Sequence, residues 1–368
     1  MLANLGKLQE LAGSWHGAGF NLIARPDFTG NSNLYLQLNQ TRETLKIDPI
    51  GSSIPNRGFG QGDIELFGLT YLQKSSDVFT GGALHIEPGI WVTQPNTSYP
   101  EETAPDGEQI IARMATIPHG NSLLAQGITT SFDGPPTLKT AKEEYAFSAF
   151  PSFNSTPFLT LPTAPPIINA AGSSAKGTLP PPPFTQYDLA VPESATNPRT
   201  PFATSPPDLP LPAKIHGVPM QEVVNDPIKL LQAVIDKQVD KGHTFEGVAL
   251  NIATQSSITF LQNPDSHAAK GAPTVVVKPT NGAGGIENIL FLKGGEPAGP
   301  NGPNAETALV YATFWIEKVS HQDHPSFMQL QYAQMTILNF EILALLPAKH
   351  ANLGWPHISV ATLRKSFD

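Results

Sequence analysis

His85 and Glu87 stand two residues apart in the run Ala83-Leu84-His85-Ile86-Glu87-Pro88-Gly89-Ile90-Trp91. On a β-strand that spacing puts both side chains on one face. A carboxylate beside an imidazole can orient the ring, and the ring can then accept a proton or meet a ligand. The same alternation permits the opposite placing, with Leu84, Ile86 and Ile90 facing a core and the polar pair facing water. His357 opens a second candidate face, shared with Ser359 and Ala361. These small neighbours leave room beside the ring. The remaining histidines offer less. His119 sits in the turn-like Pro118-His119-Gly120, and His321 and His324 lie between strands, just before Pro325, with no third zinc ligand in sight.

Several chemistries have no foothold. The chain has no Cys, which removes disulfides, thiolate zinc sites and Cys nucleophiles together. Asn281–Gly285 is a glycine-rich turn without the Lys and Ser/Thr of a phosphate-binding loop. There is no Gly-x-Ser-x-Gly elbow, and no carboxylate pair identifiable as glycosidase-like. A formal charge of −9, spread without basic clusters, argues against a nucleic-acid partner. No stretch approaches the roughly 20 apolar residues that span a bilayer. No signal peptide is recognisable at Met1–Gly13, so a cytoplasmic location is the expectation.

The elements that must position these residues are mostly short strands. The 368 residues include 37 Pro and 31 Gly, with Pro at about twice its usual share. Turn residues separate Asn33–Leu45, Ile64–Leu72, Gly82–Thr93, Gln109–Ile117 and Ser122–Thr130, and then Thr244–Thr254, Ser257–Leu261, Thr274–Val277, Ile286–Leu292, Ala308–Val319, Phe327–Phe340 and His357–Lys365. Strands at this spacing predict a sandwich or barrel. Between Pro151 and Pro219 there are 17 prolines in 69 residues, so this stretch cannot be central sheet. A disordered linker is one reading. Recurrent Phe, Tyr, Ile and Leu favour an ordered insertion lying against the barrel, over the Gly82–Trp91 strand. One helix is predicted at about 227–240, with Asp226 as N-cap, Pro227 at the first turn, Gly242 after the end, and Ile228, Leu231, Val234 and Ile235 as its apolar stripe. The expected organisation is a single barrel domain from about 11–135 and 243–368, interrupted by an insertion of about 136–242.

Leu5, Leu8 and Leu11 lead into Gly13-Ser14-Trp15-His16-Gly17-Ala18-Gly19, and Gly-x-Trp opening a first strand looks like the start of a calycin barrel. That opening, the Gly82–Ile90 strand, the Ile111–Gly127 hairpin and the closing strand His357–Lys365 together resemble the nitrobindin family of small haem-binding β-barrels. The resemblance covers about residues 11–130 and 308–366. It implies a mainly β fold, a closed antiparallel calycin-like barrel. It implies haem b, with His357 as proximal ligand to the iron and His85 on the distal side, in a pocket that Glu87, Trp91 and Phe20 would line. Gly13, Trp15 and Arg364 would be structural, with Arg364 or Lys365 of the last strand packing across the tryptophan. The implied activity is reaction with nitric oxide or peroxynitrite, as in a peroxynitrite isomerase. Two departures stand out. Residues about 135–300 are additional to a family barrel, and His357 lies one residue further from Arg364 than expected, which on a strand turns a ring to the other face. Two other readings remain open: a carrier of a fatty acid or isoprenoid without haem, and a cofactor-free enzyme using His85 and Glu87. In each the partner is a small apolar or flat ligand.

Overall fold

The computed structural model describes residues 2–27, 32–58, 60–98, 101–117, 121–138, 158–159, 186–192, 199, 212–254, 285–288, 305–341 and 352–366. The expected strands Ser257–Leu261 and Thr274–Val277, and His119, lie outside these residues. Ten strands form one closed antiparallel barrel. They are β1 (Gly13–Asp27), β2 (Ser32–Pro49), β3 (Ile64–Asp77), β4 (Ala83–Gln94), β5 (Ile110–Thr116), β6 (Asn121–Asp133), β7 (Thr244–Ala253), β8 (Ala305–His321), β9 (His324–Glu341) and β10 (Asn352–Ser366). Each pairs with the next, β6 meeting β7 directly across the large insertion, and β10 returns to β1 and closes the ring. Closure leaves no free sheet edge in the ring.

Alternation decides what each face buries. On β1 the odd positions face inward, and Trp15 joins Leu45, Ile47, Leu69, Trp91, Ile111, Leu250, Phe314, Leu330 and Leu363 in the inner cluster. The even positions face outward, and from Phe20 onward they are covered too. Phe20, Leu22, Leu36, Leu38, Ile358 and Val360 form an outer cluster beneath α1 (Met220–Asn225) and α2 (Ile228–Val239). This part of the wall is therefore buried on both faces. Its apolar residues point outward, while Asn21, Asn39 and Ser359 between them point inward.

The helix ends have local causes. Asp226 Oδ1 accepts from the Ile228 N–H (3.3 Å), and Pro227 opens the first turn. At the other end Gly242 (φ +83°) completes a Schellman motif, with His243 N–H donating to Gln238 O and Gly242 N–H to Val239 O. The described parts of the Pro-rich stretch lie elsewhere than expected. Tyr187 and Leu189 pack into the outer cluster over β1, β2 and β10, and Arg199 bridges Leu36. They do not cover β4, whose outward Ile86 remains 42% exposed.

Helical turns Leu2–Leu11, broken at Gly6, plug the lower end of the barrel with Leu5, Leu8 and Leu11. Trp15 is fully buried there, and its Nε1–H donates to Leu11 O (2.7 Å). Lys365 Nζ lies 5.2 Å from the centroid of the Trp15 ring. Of the two basic residues expected there, Lys365 takes the place and Arg364 is corrected: it faces outward, 3.7 Å from the centroid of the Phe327 ring. Alternation sends Lys365, not Arg364, to the inner face. Gly13 holds φ +128°, and a Cβ there would lie 2.8 Å from Lys365 Cε, so the glycine leaves space for the lysine stem. Among the described residues no helix is long and apolar enough to cross a membrane.

One carboxyl of the outer wall is unusual. Glu317 is buried beneath α2, accepting from Gln329 Nε2 (2.6 Å), which is itself paired with Gln238 of the helix. Its Oε1 has no partner among the described residues. Burial raises its pKa to about 8, against the opposing hydrogen bond from Gln329. The folded chain thus holds a proton here that the unfolded chain releases near 4.5. This stabilising contribution is complete below the unfolded value and is lost as pH rises through about 8. Relative to wild type, Glu317→Gln should therefore gain stability as pH rises from 5 to 8, at up to ~1.4 kcal/mol per unit. Urea midpoints of both proteins at each pH measure it. Separately, Trp15→Ala should cost ~3–5 kcal/mol in the same assay.

Candidate functional site

β4 carries His85, Glu87, Gly89 and Trp91 on its inner face, in register with Ser75, Gln73, Tyr71 and Leu69 of β3. Of the two placings alternation allowed for His85 and Glu87, the inward one is found. Glu87 is fully buried. Arg113 of β5 donates to its Oε1 through Nη2, and Tyr71 donates to the same oxygen through its hydroxyl. Arg113 Nε also donates to Tyr71 Oη (2.8 Å), and Nη1 donates to Gln334 Oε1 (2.7 Å). The guanidinium lies among aromatic rings, 4.9 Å from the Phe314 centroid and 5.6 Å from that of Trp91. Burial alone would raise the Glu87 carboxyl; the Arg113 charge and the hydrogen bonds outweigh it and hold the group ionised, well below its usual range. Gly89 makes this possible, since a Cβ there would run into the Tyr71 ring.

His85 faces the pair from the upper side, away from Trp15. Its Nε2 is 3.2 Å from Glu87 Oε2, and its side chain is 22% exposed. A buried, charge-fixed carboxylate thus orients an imidazole that solvent can reach.

A second carboxyl lies beside the first in a different state. Glu43 of β2 is buried with no ion-pair partner among the described residues. It accepts from Tyr332 Oη (2.5 Å), Thr41 Oγ1 (2.8 Å) and Gln73 Nε2 (3.2 Å). Desolvation raises its pKa despite these bonds. Gly19 gives it room, because a Cβ there would lie 2.8 Å from Glu43 Oε1. One carboxyl is held ionised and the other is pushed toward the neutral form, a divergence that suits paired acid and base roles.

Above these groups the inner wall stays polar. Asn21 pairs with Asn39 and Ser359, Thr41 pairs with Asp77, and Ser75 pairs with both Glu43 and His85. Three of these side chains are at least nine-tenths buried yet carry an atom with no hydrogen-bond partner among the described residues: Asn21 Oδ1, Asn39 Oδ1 and Ser75 Oγ. Native interiors seldom leave such atoms unpaired.

His357 is also on the inner face, opposite Ile23, so the extra residue before Arg364 does not turn it outward. The β1–β10 ladder stops at this pair, and the next residue, Pro356, has no N–H to give. The His357 Nε2–H donates instead to Ala24 O (3.0 Å). Burial, with the nearby Arg25 charge, lowers its pKa to about 4 against this bond, so the ring is neutral. Phe20 is a correction: it points outward into the cluster beneath the helices, because it has the parity opposite to Trp15. Trp91 is inward, edge-on to Phe314 at 5.2 Å. His321 and His324 stack at 4.7 Å on the β8–β9 turn. Both ring nitrogens of His321 are taken, by Lys241 O and the Asp323 N–H.

Haem b held by His357 does not fit this wall. Nε2 is committed to Ala24 O. The unpaired asparagine oxygens are acceptors, which neither a porphyrin face nor a propionate can satisfy. Arg113 is already engaged by Glu87, and Arg25, at the inward parity of β1, lies over the Tyr35 ring.

The residues that sequence reasoning missed are Asn21, Asn39, Glu43, Tyr71, Ser75, Arg113 and Tyr332. They are scattered over five strands and join only through register. A signal did exist for Arg113, a charge between Ile111 and Ala115 at the parity of an apolar face. No family model matches the chain, and no curated protein matches it. Among solved structures, the crystal structure of Rv2717c from M. tuberculosis is similar over 99% of this chain and 97% of that one, at 10% identity and a TM-score of 0.32. At that score the likeness decides neither family nor function.

Arg113→Met should cost ~3–5 kcal/mol, because it strands a buried carboxylate. Adding Glu87→Met should recover most of that loss. Urea denaturation of the two variants gives the comparison.

Proposed function

We propose that the chain binds a small hydrogen-bonding molecule in the upper half of its barrel, against the wall of Asn21, Asn39, Ser75 and His85. The observation that carries this reading is the set of three buried polar atoms left without partners on one inner face. A closed barrel with a polar interior wall is a common host for such a ligand. Evolution keeps unpaired groups where function needs them, at a cost to stability. The same wall is a poor match for a fatty acid or isoprenoid, whose chains would leave these atoms unpaired.

The His85–Glu87 pair supports a second reading, acid–base chemistry on the bound molecule. Glu87 fixes the ring, the ring faces the ligand, and Glu43 supplies a second, differently tuned carboxyl. In this reading His85→Ala removes turnover, while binding persists through the asparagines.

The test compares stability with uptake. Ser75→Ala removes an unpaired hydroxyl and should raise the melting temperature of the purified protein by about 2–4 °C. A fall instead would make that hydroxyl structural and sink the proposal. Hemin provides the control. No Soret shift dependent on His357 is expected, and a shift that His357→Ala abolishes would restore the haem reading.

A further inference from the structure

The insertion leaves and rejoins the barrel at one point. The chain turns out of β6 at Gly134 (φ +92°) and returns to β7 past Gly242 (φ +83°), and Gly134 N–H donates to Phe245 O (2.8 Å). Because β6 pairs directly with β7, the ring stays closed whether or not α1 and α2 lie against it. The helices are held to the wall by apolar packing and by polar links. Gln331 Nε2 donates to Leu231 O (3.1 Å), and His321 Nε2–H donates to Lys241 O (3.0 Å). The third link is the run from Glu317 through Gln329 to Gln238.

That run suits a neutral acid and not a carboxylate. Gln329 commits both Nε2 protons, to Glu317 Oε2 (2.6 Å) and Gln238 Oε1 (3.3 Å), while its own Oε1 accepts from Gln238 Nε2 (2.8 Å). Gln331, diagonal to Glu317 across the β8–β9 ladder, commits both of its protons to Leu231 O and Thr362 Oγ1. Glu317 Oε1 is left without a donor among the described residues. The charged groups nearby are engaged elsewhere or exposed. Arg364 of β10, paired with Gln329 in the ladder, lies over the Phe327 ring. On α2 and the turn after it, Asp236, Lys237, Asp240 and Lys241 are exposed, and the His243 Nδ1–H donates to Gln238 O. Glu222 of α1 pairs with Lys229. β7 brings Phe245 and Gly247 to this face, and its Glu246 pairs with Lys318 at the opposite parity. One neutral donor does not offset the desolvation of a full charge, so the closed seam holds the protonated form, in keeping with a pKa of about 8.

We propose that α1 and α2 form a flap gated by Glu317: the neutral acid keeps the flap on the wall, and loss of its proton favours a state in which the flap lifts and bares the apolar outer face of β1, β2 and β10. Lifting gives the carboxylate water while the ring remains shut. The closed state retains a proton that the open state releases, so the open fraction rises with pH between about 4.5 and about 8. The flap lies on the outer face and is independent of the ligand reading above.

Amide hydrogen exchange of the full chain, expressed as protection factors from pH 6 to pH 9, provides the test. Leu231 and Ile235 of α2 should lose up to ~tenfold in protection per pH unit until about pH 8 and level off beyond it. Ile111 and Ala115, buried in the ring on β5, should stay better protected than α2 at every pH. Glu317→Gln should hold α2 at its low-pH protection throughout. Protection of α2 that does not change with pH would overturn the gate, and the wild type alone shows this should the variant fold poorly. Equal protection of α2 and β5 would overturn it as well, because the whole chain would then open at once. So would a loss of protection with pH that Glu317→Gln retains, which would assign the proton to another group.

Discussion

The buried pair of Arg113 and Glu87 is the constraint around which the interior is arranged. Two full charges inside a barrel are tolerable only when each is fully met, because desolvation otherwise exceeds their attraction. The fold meets that demand with parts from five strands. Tyr71 bridges both charges, Gln334 takes a further guanidinium N–H, His85 caps the free carboxylate oxygen, and Phe314 and Trp91 border the cation with ring faces and edges. Gly89 is a consequence of the same demand, since any side chain there would displace the tyrosine. Register on β3, β4, β5, β8 and β9 is thereby cross-checked at one point. A one-residue slip of β4 or β5 would leave a charge unpaired, and a slip of β3, β8 or β9 would withdraw a neutral group that meets the pair.

This centre divides the interior. Below it the residues are apolar and tightly plugged, from Trp15 to the leucines of the first helical turns. Above it the wall is polar and incompletely paired. The lower half supplies stability that the upper half gives up. Glu43 shows the same division in a single residue, with a carboxyl that burial pushes toward the neutral form against three hydrogen bonds.

The strands of the first half, the inward turn of Gly13-x-Trp15, the helix with its Asp226 and Gly242 boundaries and the closing strand were all legible, because each has a local cause: alternation, a cap, a left-handed glycine. His85 and Glu87 were legible as a pair, but not as to face, since alternation allowed both. Phe20 misled because β1 is buried on both sides, and an aromatic there carries no mark of which side it serves. Arg364 misled for a related reason: adjacent basic residues share every sequence property except parity. The asparagine pair was illegible. Asn21 and Asn39 are ordinary turn-compatible residues until the β1–β2 register sets them opposite each other, and no local rule fixes that register.

The seam between β1 and β10 joins Ser14 to Ser366 and Ile23 to His357. It follows that the ribosome must release nearly the whole chain before the ring can shut. Until then, strands β1 to β6 wait as an open sheet with two bare margins, during a synthesis that lasts tens of seconds at ~5–20 residues per second. Nascent chains in that state are natural clients for chaperones, and the extra polypeptide between β6 and β7 lengthens the wait.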